Sequence, residues 1–266
     1  MTTGALADRL GFELVGPARA VAVWAALLAA AALAWTVTVR DALAMGNGPG
    51  TMGRDAVGFV VLWTVMMAAM MLPAVAPVSS IYLSTLRRSS TGALRALRVA
   101  ALVVGYLAAW AAFGIVGYAA AWGGGRVATD VPGAAPWIGA GILAIAGLYQ
   151  LTPLKDRCLS HCRSPLGFLL HFGGYTGRLR DLRVGVYHGG YCGGCCWGLM
   201  AVLVAVGVMN LGWMAGLSAV VFLEKTWRHG KTLGIAFGLA LVVLACFVPA
   251  HPGLAPGLHA GGGMSM

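Results

Sequence analysis

With 59% hydrophobic and only 10% charged residues in 266, this chain cannot cover itself as a soluble globule, in which about a quarter of residues are charged. A mean hydropathy of +0.83 and 40 glycines fit instead a bundle of closely packed helices in a bilayer, where small residues let backbones approach. The net charge of +10 would suggest nucleic acid in a soluble protein. Here the basic residues fall between apolar runs, where they orient a membrane protein, and no nucleic-acid partner is expected.

The fold class expected is therefore all-α, a polytopic transmembrane bundle. Apolar runs cover Ala20–Thr38, Val57–Leu83, Val99–Trp122 and Pro136–Leu151, each near or above the ~20 residues that cross the hydrocarbon. A longer stretch follows from Cys192 to Leu223 and a last one from Thr232 to Ala250. A single helix over Cys192–Leu223 would be roughly 48 Å long, far thicker than the bilayer core. Asn210, flanked by Gly207 and Gly212, offers a turn, so two helices are predicted, Tyr191–Met209 and Leu211–Trp227, giving about seven spans.

Charge orients them. An N-in, C-out arrangement leaves only Arg40, Arg54 and Arg126 of the 18 Lys and Arg on the outer side, a strong bias of the positive-inside kind. The organisation expected is a cytoplasmic arm over 1–19, a transmembrane domain over 20–250 containing a cytoplasmic Cys/His loop at 152–187, and an outer flexible tail over 251–266. Ala42-Leu43-Ala44 resembles a small-residue cleavage site, but the n-region before it is too long for an ordinary signal peptide. No phosphate-binding loop, Ser-His-Asp order or HExxH run is present.

The densest chemistry is His188-Gly-Gly-Tyr-Cys192-Gly-Gly-Cys195-Cys196. On a helix, His188, Cys192, Cys195 and Cys196 fall at about 0°, 40°, −20° and 80°, one stripe. Gly190, Gly194 and Gly198 lie near the opposite side, a repeated GxxxG expected to pack on a neighbour, so that a larger residue at Gly194 should disturb packing more than one at Gly193. Thiolates select copper(I), zinc or iron–sulfur clusters. Cys158 and Cys162 offer a second pair on the same cytoplasmic side, with His161 between them as a spectator. Packing alone, or thiol redox chemistry, is the competing account of these cysteines. Cys246 is isolated and expected in the core.

A second soft set is Met66, Met67, Met70 and Met71, stacked one turn apart ahead of Pro73, which takes no part in the helical ladder as a donor. Thioethers hold copper(I) without adding charge, and methionines also simply fill gaps. Glu224, at a helix end near hydrocarbon, is a candidate functional carboxylate, with Lys225 beside it favouring a plain interfacial charge. Gln150 and Asn210 suit helix–helix hydrogen bonds. His251, His259, Met264 and Met266 could collect metal outside, although a plain tail is the simpler account.

Taken together, Trp63 to Pro73, Tyr149 to Lys155, Cys158 to Pro165, His188 to Trp197, Gly207 to Leu211 and Leu223-Glu224-Lys225 resemble a bacterial family of predicted metal-binding integral membrane proteins of unknown function, over roughly residues 20–250. The resemblance implies a multi-pass protein of the bacterial inner or plasma membrane that binds metal. The methionine pairs are also similar to the MxxxM ladder of high-affinity copper transporters, which are three-span oligomers. Ligand softness makes copper(I) the expected ion, with zinc as the alternative. The expected role is transport, or delivery to a metal-receiving or from a metal-donating protein. A membrane thiol oxidoreductase using Cys192 with Cys195 or Cys196, or an assembly factor with structural cysteines, is the alternative.

Reporter fusions test the orientation: those at Arg88, Arg163 and Arg228 should report the cytoplasm and one at His259 the outside. Arg228 and His259 on one side would remove the hairpin at Asn210.

Overall fold

A computed structural model of the protein describes residues 17–45, 50–84, 86, 91–164, 167 and 177–258. It is all-α, with no strand among the described residues. The helices are α1 (Pro17–Met45), α2 (Ala56–Ser84), α3 (Gly92–Asp130), α4 (Ala135–Gln150), α5 (Pro153–Arg163), α6 (Arg180–Val206), α7 (Leu211–Thr226) and α8 (Gly230–Phe247). Two short 3-10 turns follow, at Pro252–Leu254 and Pro256–Leu258. The arm at 1–16, and His259, Met264 and Met266, lie outside the described residues.

Five helices, α1, α2, α3, α6 and α8, are long and apolar enough to cross a membrane, and α4 with α5, bent by 62°, would make a sixth. That is fewer than the seven spans read from the sequence. The shortfall is one of length: α4 and α7 have 16 residues each, roughly 24 Å against a hydrocarbon core of ~30 Å. Thr152 and Pro153 explain the early end of α4. The Thr152 side chain accepts from the Lys155 N–H and Pro153 occupies the first turn, both marks of a new helix start.

The break at Asn210 is present. Helix α6 stops at Val206, three residues before the expected Met209, because Gly207 takes a φ of +99°, a region open chiefly to glycine. The Asn210 side chain then accepts from the Trp213 N–H at 3.2 Å and caps α7. The 152–187 stretch differs from the loop expected there: α5 and the first turns of α6 occupy its described residues. The tail also differs at its start. Ala255, Gly257 and Leu258 are buried, with Leu258 against Gly124 of α3 and Gly139 of α4.

Closest packing joins α3 to α6, and glycine permits it. A Cβ at Gly185 would overlap the Leu102 carbonyl, and one at Gly105 the Leu182 carbonyl. Gly189 meets Tyr106 and Ala109, and Gly193 meets the Phe113 ring. The stripe that packs on α3 is thus Gly185, Gly189 and Gly193, a small-xxx-small pattern. This corrects the expected register. Gly190 has nothing within 4 Å of its would-be Cβ, Gly194 faces Cys158, and Gly198 faces Tyr149 and Ala146.

At the α6 N-terminus, Asp181 accepts from Arg98 Nε at 3.0 Å and Nη2 at 3.1 Å and from the Tyr82 hydroxyl. One carboxylate therefore ties together the ends of α2, α3 and α6. Helix α1 is covered least, 11% of its most apolar window being buried against 72% for α2, so an outer face such as that of Leu33 and Leu43 needs an apolar surrounding. Cys246, expected in the core, is exposed on α8.

Gly185→Ala should cost about 1–3 kcal/mol by overpacking, and Gly193→Leu should be worse than Gly194→Leu, the reverse of the order read from sequence. Gly190→Ala should be neutral or should gain up to about 1 kcal/mol of helix propensity. Thermal unfolding in detergent measures all four.

Candidate metal centre

The CxxCC segment is helical, as its stripe required, and α6 presents it to two other elements. Cys192, Cys195 and Cys196 are all buried, as is His188. The Cys195 and Cys196 thiols donate back to the Cys192 carbonyl at 3.1 and 2.6 Å, the usual way a thiol inside a helix satisfies itself. From α5, Cys162 brings its Sγ to 3.9 Å from that of Cys195. Cys192 and Cys196 are buried on the same turns of α6 as Cys195, and Cys162 is buried in the same core. Four cysteines from two elements therefore meet in one buried place.

The spacing is informative. With metal–thiolate bonds of about 2.3 Å, two sulfurs on one ion stand between about 3.8 Å apart (tetrahedral) and about 4.6 Å apart (linear). The Cys162–Cys195 separation lies in that interval. Among the described residues no group of three or more His, Cys, Asp or Glu side chains is arranged to hold a metal ion as it stands. At 3.9 Å the pair stands near the tetrahedral end of that interval, and the geometry offers two soft ligands with further thiols alongside.

Cys158 occupies the outer edge of the cluster. It is half-buried, one turn before Cys162, and its Sγ sits 3.1 Å from where a Gly194 Cβ would be. Gly194 is glycine because Cys158 packs over it. The Tyr149 hydroxyl donates to the Gly194 carbonyl, anchoring α4 to the same turn of α6. His161 points elsewhere: its ring stacks on Tyr191 at 4.3 Å, in keeping with a spectator. His188 packs against the Tyr106 ring with centroids 5.7 Å apart.

Two neighbours of the thiols had no place in the sequence-based site. Tyr106 of α3 brings its hydroxyl to 3.0 Å from Cys192 Sγ, and Lys225 of α7 donates to the same sulfur at 2.8 Å. A lysine among apolar residues was itself a signal, although it reads equally as an interfacial charge. Tyr106 carried no signal, being one aromatic among many in an apolar helix.

Glu224 is separate from this cluster. It is 2% exposed and accepts from Lys155 Nζ, itself 2% exposed, at 2.6 Å. Lys155 also donates to the Gln150 side chain, and a Cβ at Gly234 would collide with Glu224. The carboxylate thus joins the α4–α5 bend to α7 and α8. Met66, Met67, Met70 and Met71 are all at most 1% exposed. They lie on α2, which packs on α1, α3 and α7, whereas α6 packs mainly on α3, α4 and α5. The two soft sets therefore share α3 as a neighbour and one continuous buried core, but stand on different helices.

A family model described as copper chaperone, PpoB2, matches residues 60–248. This chain belongs to that copper chaperone family. The match runs from α2 through α8 and takes in the four methionines and all six cysteines. No curated protein and no solved structure matches the chain. A copper-related role is consistent with the soft-ligand set of the chaperone.

The buried ion pair is testable apart from copper. Lys155→Met leaves Glu224 charged and unpaired and should destabilise the chaperone by about 3–5 kcal/mol, while Lys155→Met with Glu224→Gln should recover most of the loss. Chemical denaturation in detergent compares the two variants.

Proposed function

We propose that this copper chaperone is a multi-pass protein of the bacterial plasma membrane that receives copper(I) on the thiols of Cys162, Cys192, Cys195 and Cys196 and delivers it to a membrane partner. The observation that carries the proposal is the meeting at 3.9 Å of Cys162 with Cys195, 33 residues apart in the sequence, with Cys192 and Cys196 alongside. Cargo of this kind has to leave as well as arrive, and a pair of soft ligands flanked by spare thiols permits transfer by exchanging one ligand at a time. Cys158, half-buried beside the pair, is the ligand that meets the donor or the recipient.

His188 is a neighbouring imidazole on the same helical face and lends the site an additional ligand during exchange. Met66, Met67, Met70 and Met71 provide a second, neutral station in α2 for the ion on its way to the recipient. Their complete burial and their stacking one turn apart support that role. Membrane insertion is supported by the five or six helices of sufficient length and by the outward apolar faces. An enzyme is not required by any feature of the site.

Copper(I) bound per chain, measured by mass spectrometry on reduced, purified protein, tests the assignment. Wild type should hold copper, and Cys192→Ser/Cys195→Ser/Cys196→Ser should lose it. Met66→Leu/Met70→Leu should change stability by less than about 1.5 kcal/mol and keep the thiol-bound ion, yet deliver it more slowly in reconstituted vesicles. Copper retained by the triple serine variant would sink the thiol site, and unimpaired delivery by the leucine pair would return the methionines to packing.

A further inference from the structure

Lys225 stands in the last turn of α7, next to a carboxylate that it does not serve. Glu224 is engaged by Lys155 at 2.6 Å, on the side of α7 that meets the α4–α5 bend. Lys225 turns the other way and places Nζ 2.8 Å from Cys192 Sγ, the sulfur that Tyr106 approaches from α3 at 3.0 Å. The cluster thus contains four thiols, a phenol and one ammonium group, with the buried imidazole of His188 beside them against the Tyr106 ring.

We propose that Lys225 sets the charge of the thiol site so that it retains a monovalent soft ion in preference to a divalent one of equal softness. The proposal rests on the thiol cluster being the copper site. When two thiols take up one copper(I), both lose their protons to solvent, and the ion with its two thiolates carries −1. The ammonium of Lys225 brings the whole to zero, the remaining thiols staying protonated. With a divalent ion on the same two thiolates the total is +1. Reaching zero would need a third thiol to lose its proton and move onto the ion, whereas no three such side chains are arranged to hold a metal ion among the described residues. In a buried, apolar place a net charge is costly unless it is matched, so the lysine favours the monovalent ion. A neutral side chain at position 225 reverses this, leaving −1 around copper(I) and zero around the divalent ion. Softness of the ligands excludes hard ions but does not by itself separate copper(I) from cadmium(II) or zinc(II). Charge does.

Cadmium(II) is the suitable competitor because it is also soft and differs chiefly in charge. The experiment measures dissociation constants for copper(I) and for cadmium(II), with competing chelators, on the reduced full-length protein in detergent. Wild type is compared with Lys225→Met, Lys225→Gln, Lys225→Arg and Cys192→Ser/Cys195→Ser/Cys196→Ser, and the melting temperature of each variant records that it is folded. The copper-to-cadmium preference should fall by about tenfold or more in both neutral variants, in line with the coupling of close buried charges, and should be largely kept in Lys225→Arg. A preference in the folded neutral variants equal to that of wild type would overturn the proposal, as would an arginine variant as impaired as methionine. Wild type binding no more copper(I) than Cys192→Ser/Cys195→Ser/Cys196→Ser would instead overturn the thiol site itself, a result distinct from either.

Discussion

Everything at the thiol cluster depends on how near α6 comes to α3. Two α-helices carrying ordinary side chains keep their axes 8–10 Å apart, and the backbone contact of Gly105 with Leu182 and of Gly185 with Leu102 needs the absence of a Cβ at both glycines. That approach draws the α6 face bearing Cys192 against Tyr106. It also fixes the rotation of α6, so that Cys195 and Gly194 are turned towards α5. The glycine-rich HGGYCGGCC run therefore has two tasks interleaved at one-residue offsets. Gly189 and Gly193 seat the helix on α3, while Cys192, Cys195 and Cys196 occupy the adjoining face.

Charge is treated with equal economy. The bundle interior contains few ionic groups, and the described ones are matched: Asp181 with Arg98 and Tyr82, and Lys155 with Glu224 and Gln150. Such pairs are weak stabilisers in net terms, because desolvation offsets most of their attraction, but they are strongly missed when one partner is removed. Their value here is positional. Each joins three elements at a helix end, where unsatisfied backbone groups would otherwise leave the ends loose. Lys225 is the exception in kind, since its partner is a sulfur. Its place is the one where a buried charge meets the thiols.

Much of this was legible in the sequence, for reasons that can be named. The apolar runs located every long helix because hydrophobic length is a direct physical requirement, and Asn210 with its flanking glycines located the hairpin because cap and turn chemistry is local. The thiol stripe was legible because 100° per residue places His188, Cys192 and Cys195 together once the segment is helical. The glycine face was misjudged. GxxxG repeats exist in both registers, at 185-189-193 and at 190-194-198, and only the partner helix decides between them. The meeting of Cys162 with Cys195, and of Lys225 with Cys192, could not be read at all. The first depends on a 62° bend whose direction is set by tertiary packing, and the second on how α7 lies beside α6. Cys246 looked like a core residue because burial was inferred from polarity, whereas in an apolar surrounding the outside of a helix is as hydrophobic as the inside.

That bend leaves α5 attached in an unequal way. Besides the buried Lys155–Glu224 pair, α5 is tied to the α7–α8 turn by Lys231 to Asp156 at 2.6 Å, with side chains 61% and 40% exposed, and by Arg163 donating to the Trp227 carbonyl at 2.8 Å in an exposed position. Dissolved ions screen the exposed contacts and scarcely reach the buried one. Helix α5 therefore resembles a door with a dry inner hinge near its first turn and two wet latches along its outer side. Its two cysteines, at Cys158 and Cys162, are carried by the leaf. A partner with an acidic or basic surface of its own could compete for the latches without disturbing the hinge, and would thereby swing the thiols of α5 relative to those of α6.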